Sequence, residues 1–225
     1  MIPLAFMIEY ALSPEQIARA SNTSLVGRVV HHRALVDSTM DVGRELAEQG
    51  ALDGTLVIAE EQAAGRGRLD RRWWAPPGTS LLITLVLRPR LEPRQAQRLT
   101  MICSLAVCDA IDRVCGLEAR IKWPNDVLIG GKKVCGILTE LGLSGSALEY
   151  ALVGIGINVN IDLDQNLPLL VPATSLHTET GGRVSRLDLL VALLAAIEER
   201  YLSLQQGCSF QRAWADRLET LGRSV

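Results

Sequence analysis

The sequence predicts an α+β protein, and three observations support this class. Hydrophobic residues make up 48% of the 225 residues, which is enough to bury a full core and is untypical of a disordered chain. Some segments place apolar residues at helical spacing, whereas others alternate or are continuously apolar, as strands are. The strand segments are joined by short turns rich in glycine, proline and asparagine.

Helix and strand signals alternate through the first half of the chain. Ser13 followed by Pro14 predicts a helix start, because proline suits the first helical position. Ser38 is an N-cap candidate for a second helix, which Gly50 closes. The predicted helices of this half span residues 14–21, 39–48 and 94–115. The predicted strands span residues 27–36, 55–60 and 80–87.

The second half begins with strands and ends with helices. Turns at Pro124-Asn125-Asp126, Gly130-Gly131 and 142–145 divide the strand region. The predicted strands span residues 117–123, 127–129, 133–141 and 147–157. Residues 158–180 are predicted to be irregular, and amphipathic helices are predicted over 186–205 and 210–218.

Composition excludes several classes of function. The formal net charge is −2, so no basic field favours nucleic acid as a partner. No apolar run is long enough for a transmembrane helix, and residues 1–10 lack the basic start of a signal peptide. The five cysteines contain no C-x-x-C pair for a metal or redox site, so no metal ligands are assigned. Reduced thiols in the cytoplasm fit this pattern best.

A loop rich in arginine and glycine follows the second predicted strand. Four arginines and two glycines occur in the eight residues 65–72. Glycine lets backbone N–H groups approach a ligand, and the forked donors of arginine match phosphate and carboxylate oxygens. Such a loop suits a reaction that joins two anions, although a solvated basic loop is an equal alternative on composition alone. Of Trp73 and Trp74, one is expected in the core and the other stacked on a base, and the spacing leaves open which.

Lys122 lies on a strand that ends at a proline turn. Alternation places Arg120 and Lys122 on one face, and Ile121 and Trp123 on the other. If the Ile121 face is the core, Lys122 projects from the opposite face, where it could bridge a carboxylate and a phosphate. An ordinary surface lysine is the simpler alternative.

Two glycines at alternate positions mark the last predicted strand. Gly154 and Gly156 lie on one face of the sheet, where missing side chains make room for a ligand or for a close backbone. Gly136 could do the same on a neighbouring strand, and Asn158 ends the strand with both donor and acceptor groups. Close packing of a helix on the sheet would explain the same glycines.

Taken together, these segments resemble the biotin–protein ligases. The matching segments occur in the family's order over residues 24–225 and are Asp37-Ser38-Thr39, Gln62, Gly65-Arg66-Gly67-Arg68, Arg72-Trp73, Lys122-Trp123-Pro124-Asn125-Asp126, Gly136-Ile137-Leu138-Thr139-Glu140 and Gly154-Ile155-Gly156-Ile157-Asn158. The resemblance implies a mixed β-sheet flanked by helices, similar to class II aminoacyl-tRNA synthetases. It also implies that biotin and MgATP give biotinyl-5′-AMP, which then acylates one lysine of a biotin carboxyl carrier protein.

The resemblance also assigns roles to individual residues. Arg68 and Lys122 would be catalytic, and Lys122 would contact both the biotin carboxylate and the α-phosphate. The residues implied in biotin binding are Ser38, Thr39, Gln62, Arg66, Gly67, Arg68, Lys122 and Gly136. Those implied in ATP binding are Arg66, Arg68, Lys122, Asn158 and Trp73, the last against adenine. Ser, Thr and Gln suit an uncharged urea, because they offer uncharged donors and acceptors.

This chain departs from the family's pattern in three places. Met40 stands where the family often has asparagine. Residues 1–26 are expected to form a short helical extension, too short for a winged helix-turn-helix domain, ahead of a catalytic domain over 27–225. The small C-terminal barrel of most relatives is expected to be absent.

Alternative functions remain at this point. One is a lipoate–protein ligase, which the polar Ser38, Thr39 and Gln62 set disfavours. The other is a non-catalytic module that binds biotin or nucleotide. A homodimer is possible, because exposed sheet edges permit pairing.

Overall fold

One mixed β-sheet organises the molecule. The computed structural model describes residues 12–68, 71–163 and 171–221. Within them the strands are β1 (Val30–Val36), β2 (Thr55–Gln62), β3 (Ser80–Leu87), β4 (Arg120–Lys122), β5 (Asp126–Ile129), β6 (Lys132–Ser144) and β7 (Ala147–Asn158). They form a 7-stranded sheet in the order β1-β2-β3-β7-β6-β5-β4. The β1–β2 pair is parallel and the other neighbouring pairs are antiparallel, so the predicted mixed sheet is confirmed.

Helices cover both faces of this sheet. The helices are α1 (Pro14–Ala20), α2 (Thr39–Glu48), a 3₁₀ turn (Pro93–Gln95), α3 (Gln97–Cys115), α4 (Leu176–Thr180), α5 (Arg186–Gln205) and α6 (Gln211–Asp216). Helices α3 and α5 pack against each other on one face, and α2 packs on β2, β3 and β7 from the other face.

The central strand β3 shows how the sheet separates its two faces. All eight of its residues are buried, since helices or loops cover both sides. Leu81, Ile83 and Leu85 belong to the main core, which includes residues of α3 and α5. Thr84 and Val86 point the other way, where Val86 joins a smaller cluster with Met40 and Ala47 of α2. The side chains of the α2 face therefore surround the space described in the next section.

Local capping explains why the helices begin where the sequence predicts. The Ser13 side chain accepts a bond from the Gln16 N–H, and the Gln16 side chain accepts one from the Ser13 N–H, which forms a capping box. Ser38 caps α2 by accepting from the Met40 N–H. Gly116 ends α3 in the left-handed region, with a φ of 65°.

Several predicted bounds were wrong, and each error has a local cause. The strand predicted over 117–123 contains only Arg120–Lys122. Because the strand ends there, alternation does not extend to Trp123, which is 66% exposed instead of facing the core with Ile121. The helix predicted over 94–115 is divided at Ala96, and a short helix capped by Ser175 lies in the region predicted to be irregular. Strand β6 extends past its predicted end at Leu141 to Ser144.

The N-terminal segment packs into the same core as the rest of the chain. Leu12, Ile17 and Val26 are buried members of the main cluster. The domain boundary at residue 27 stays a prediction. None of the helices in the described ranges is long and apolar enough to cross a membrane.

The two outer strands of the sheet differ in how they are covered. A C-terminal segment borders β4, because the Ile121 N–H donates to the Arg217 carbonyl at 2.8 Å and the Ile121 carbonyl accepts from the Glu219 N–H at 2.8 Å. Strand β1 is the other edge and exposes Leu35. The predicted homodimer stays a prediction.

Candidate active site

A cavity of about 660 Å³ opens on the α2 side of the sheet. This size suits a small-molecule ligand of cofactor dimensions. All of the site residues predicted from the sequence lie in its wall, although their individual roles stay predictions. They are Ser38, Thr39, Gln62, Arg66, Gly67, Arg68, Trp73, Lys122, Gly136 and Asn158.

An uncharged hydrogen-bond network forms one part of the wall. The Gln62 Oε1 atom accepts from the Thr39 N–H at 2.8 Å and from the Thr39 hydroxyl at 3.0 Å. The Thr39 Oγ1 atom in turn accepts from the Thr84 hydroxyl at 2.9 Å. This fixes the Gln62 amide so that its NH₂ group is the donor that remains for other contacts. The Ser38 oxygen accepts from Met40, and its own proton is free to donate.

The arginine loop is held in a tight hairpin. The Gly67 N–H donates to the Arg71 carbonyl at 2.7 Å, and the Trp73 N–H donates to the Gly65 carbonyl at 2.9 Å. A Cβ atom at Gly65 would lie 2.4 Å from the Trp73 oxygen, so only glycine fits there. Because the Gly67 N–H is already bonded, contact between this N–H and a ligand would require the hairpin to rearrange.

The two leading arginines of this loop have different partners. Arg66 pairs with Asp41 of α2 at 2.8 Å and lies 3.7 Å from Glu140 of β6. Arg44 also pairs with Glu140, which gives a network of alternating charge. Arg68 instead reaches the turn after β4, where its guanidinium lies 3.5 Å from the Asn125 Oδ1 atom. The structure thus uses Arg66 to fix the loop and leaves Arg68 at the cavity.

Lys122 ends β4 at the cavity, next to a turn that is fixed to β6. Asn125 holds the turn, since its Nδ2 atom donates to the Ile137 carbonyl at 2.8 Å and its own carbonyl accepts from the Ile137 N–H at 2.9 Å. Lys122 is exposed and lines the cavity, and its role stays a prediction. Arg120 shares its face but pairs with Glu118 at 2.5 Å instead.

Side chains of the protein fill the space that the sheet glycines leave. A Cβ atom at Gly156 would lie 2.6 Å from the Trp73 ring, and one at Gly136 would lie 3.0 Å from it. A Cβ atom at Gly154 would lie 2.7 Å from the Met40 sulfur. Trp73 and Met40 therefore form a wall of the cavity over the glycines. The Trp73 Nε1 atom is buried and has no hydrogen-bond partner among the described residues.

Lys133 is a cavity residue that the sequence analysis missed. Its Nζ atom lies 5.5 Å from the centre of the Trp73 ring and 2.7 Å from Asp126 Oδ1. Simple alternation from Gly136 would place Lys133 on the opposite face. A register shift against β5 inserts one extra residue in β6, and this bulge returns Lys133 to the cavity side.

The cavity is strongly positive. Its described wall contains six cations, Arg66, Arg68, Arg71, Arg72, Lys122 and Lys133, and one carboxylate, Asp126. Asn158 ends β7 in the wall and donates to the Thr174 carbonyl at 3.0 Å.

No group of three or more metal-ligating side chains occurs among the described residues. Burial raises the pKa of the Cys103 and Cys108 thiols to about 12, so these thiols stay neutral near pH 7.

Comparison with known proteins agrees with this geometry. The sequence model of the Biotin/lipoate A/B protein ligase family matches residues 33–158. The "Biotin--[acetyl-CoA-carboxylase] ligase" of Paracoccus denitrificans is 39% identical over 199 residues, which cover 85% of this chain and 82% of that protein. This chain belongs to the biotin protein ligase family. The family resemblance inferred from the motifs is thereby confirmed.

Other members of the biotin protein ligase family extend the comparison. The "Bifunctional ligase/repressor BirA" of Bacillus spizizenii is 37% identical over 191 residues, or 84% of this chain. The chain spans 59% of the length of that relative. "Biotin protein ligase from Aquifex aeolicus in complex with biotin and ATP" superposes with a TM-score of 0.74 at 30% identity, and the match covers 87% of this chain and 80% of that chain. The predicted fold, the biotin ligase catalytic fold, is confirmed.

Proposed function

We propose that this protein activates biotin with ATP to biotinyl-5′-AMP and then transfers the biotinyl group to a lysine of a carrier protein. One observation carries the proposal. A single cavity brings Arg68 and Lys122 together with the uncharged Ser38, Thr39 and Gln62 set. The cations suit two anionic groups that must react, and the uncharged set suits a neutral urea.

The uncharged end of the cavity is proposed to bind the ureido ring. Thr39 uses its hydroxyl on Gln62 and Thr84, so it acts mainly by orienting the Gln62 amide. The Gln62 NH₂ group and the Ser38 hydroxyl then remain as donors for the urea carbonyl oxygen. Trp73 and Met40, which cover the sheet glycines, offer an apolar wall for the hydrocarbon part of the ligand.

The positive end is proposed to support the first half-reaction. A biotin carboxylate oxygen attacks the α-phosphorus, and pyrophosphate leaves. The approach of two anions is unfavourable unless cations neutralise them, and the transition state carries further charge. Arg68 and Lys122 are free of carboxylate partners among the described residues and can take this role. Arg66 is engaged by Asp41, so we assign it to holding the loop over the acyl phosphate.

The nucleotide is proposed to lie along the wall that contains Trp73 and Asn158. The Trp73 ring offers a stacking surface for adenine. ATP would enter as its Mg²⁺ complex, since magnesium is ordinarily held by phosphate oxygens with few protein carboxylates. Asp126 is the carboxylate that the described wall provides.

In the second half-reaction, a neutral lysine amine attacks the acyl carbon and AMP leaves. The name of the Paracoccus relative suggests the carrier of acetyl-CoA carboxylase as the acceptor. We also propose a cytoplasmic location, which the five free cysteines support.

Incubation with biotin, MgATP and a biotin carboxyl carrier domain tests the proposal, with streptavidin detection of the product. Lipoate in place of biotin tests the related acyl substrate. We expect Lys122→Ala to fold normally and to form adenylate roughly 10²-fold more slowly. If the wild-type protein produced no biotin-dependent labelling of a carrier shown to be competent, the proposed activity would be refuted.

A further inference from the structure

Two tryptophans stand exposed at the mouth of the cavity. Trp74 and Trp123 are 65% and 66% exposed, and both contribute to the cavity wall. They come from separate segments, the loop before β3 and the turn between β4 and β5. The sequence has four tryptophans, so half of them are placed in solvent at one opening.

Neither of these two side chains stabilises the fold by burial. Both are absent from the three hydrophobic clusters of the described residues, whereas Trp73 and Trp214 pack against such clusters. Large exposed aromatic side chains are unfavourable in water, and tryptophan is enriched among the residues that dominate protein–protein binding. Their exposure beside a reactive cavity therefore suggests an interaction surface.

The charges around these tryptophans indicate what kind of surface would bind. Arg71, Arg72 and Lys122 are exposed in the same wall and make no ion pair with a described residue. The whole chain has a net charge of −2, so this positive opening is a local feature. Once pyrophosphate has left, several cations at the opening lack an anionic partner, and an acidic protein surface would complement them.

The chemistry requires a protein to approach this opening. A lysine side chain reaches about 6 Å from Cα to Nζ, as four C–C bonds and one C–N bond allow. The acceptor backbone must therefore come to the mouth of the cavity for its amine to meet an acyl group inside. Trp74 and Trp123 are exposed in the wall of the cavity that such an acceptor must approach.

We propose that Trp74 and Trp123, which we call the aromatic rim, form the docking surface for the acceptor protein. The acceptor is a folded domain whose lysine is presented from an apolar patch edged by acidic residues. This inference rests on the proposed function and adds the site where its protein substrate binds.

The test separates docking from chemistry. Trp74→Ala, Trp123→Ala and the double variant are compared with Leu52→Ala, a control residue that is 68% exposed and lies outside the cavity wall. Three rates are measured: biotin-dependent pyrophosphate exchange, transfer to a biotin carboxyl carrier domain, and transfer to hydroxylamine. Hydroxylamine is a small nucleophile that needs no docking surface, and thermal melting confirms that each variant is folded.

We expect the rim variants to raise KM for the carrier domain by about 10- to 100-fold, as loss of aromatic anchors does in other interfaces. Pyrophosphate exchange and the hydroxylamine rate should fall far less than transfer to the carrier domain, and the Leu52→Ala control should match the wild type. Transfer to the carrier should weaken as salt rises from about 0.05 to 0.2 M, because the charges at the rim are exposed.

Each other outcome overturns the inference. An unchanged KM for the carrier in the double variant shows that the rim is not the docking surface. An equal loss of pyrophosphate exchange in the rim variants assigns the tryptophans to the nucleotide site instead. Wild-type protein that forms no adenylate overturns the proposed function itself, a result that the exchange assay shows before any carrier is added.

Discussion

Gly156→Ala tests how closely the Trp73 wall is fitted to the sheet. Neither Gly154 nor Gly156 has a positive φ, so alanine meets no backbone strain at either position and only the new Cβ contact matters. At Gly156 that Cβ would lie 2.6, 2.8 and 3.0 Å from three atoms of the Trp73 indole. At Gly154 it would lie 2.7 Å from the Met40 sulfur.

The two substitutions differ because the neighbours differ in stiffness. Carbon atoms in contact prefer about 3.5 to 4.0 Å, so the indole must retreat by about 1 Å. The ring is rigid and has Lys133 on its face, which makes a shift of this kind cost about 1–3 kcal/mol. Methionine is unbranched and can rotate away, and we expect a cost of roughly 1 kcal/mol or less.

The expected result is therefore specific to one glycine. If Trp73 contacts adenine, Gly156→Ala should weaken ATP binding by about 5- to 100-fold, since 1.4 kcal/mol corresponds to tenfold. Gly154→Ala should change ATP binding less than fivefold. Calorimetric titration with a non-hydrolysable ATP analogue measures both, and a melting curve shows whether any of the cost appears in stability. Two variants that match the wild type in affinity and in melting temperature would show that the wall is not fitted as described.

Three further predictions concern the loop, a carboxylate of α5 and the thiols. Arg68→Gly should release more free adenylate than the wild type, as measured by chromatography, and equal retention would contradict the role of the loop. Glu198 is partly desolvated, which alone would raise its pKa, but the backbone N–H groups of residues 24–26 outweigh this and hold the pKa below 4.5. Its stabilisation is present above about pH 4.5 and is lost as pH falls through the lowered pKa, so Glu198→Gln should melt lower at pH 7 and lose less stability between about pH 6 and 3. If the wild type and Glu198→Gln lost the same amount of stability over this pH range, the result would contradict the prediction. A thiol reagent should modify Cys208 first and Cys115 more slowly, and all five thiols should react after unfolding. Rapid reaction of the buried thiols in the native protein would contradict the packing of α3.

Elements with strong local signals were predictable from the sequence. Strand β3 and helix α5 have the predicted bounds, because β3 is continuously apolar and α5 is long and amphipathic with a serine cap. The short elements were less predictable. Strand β4 contains three residues, and its extent depends on pairing with β5 and with the C-terminal segment, which no local pattern reveals.

The composition of the candidate site was predictable, but its internal contacts were not. Every site residue proposed from the motifs lines one cavity, although Lys133 was missed. The pairing of Arg66 with Asp41 and Glu140 could not be foreseen, since it joins residues from a loop, a helix and a distant strand. Trp74 is exposed and is not a core residue, because side-chain direction in a loop follows no period, and the stacking of one tryptophan on a base stays a prediction.

The bulge in β6 decides whether Lys133 and Gly136 face the same side of the sheet. Deleting Val134 would remove the bulge and still leave Lys133 on the face of Gly136, because the two residues would then lie two positions apart in a regular strand. Regular pairing of the undeleted segment would instead turn the lysine ammonium towards the hydrophobic side of the sheet, where a charge is strongly unfavourable. A relative that carries the lysine and the glycine three positions apart, but in a strand without the bulge, would share the letters of the motif without sharing the cation. The pairing of this strand with its neighbour, as well as residue identity, should therefore be compared when this family is searched for active members.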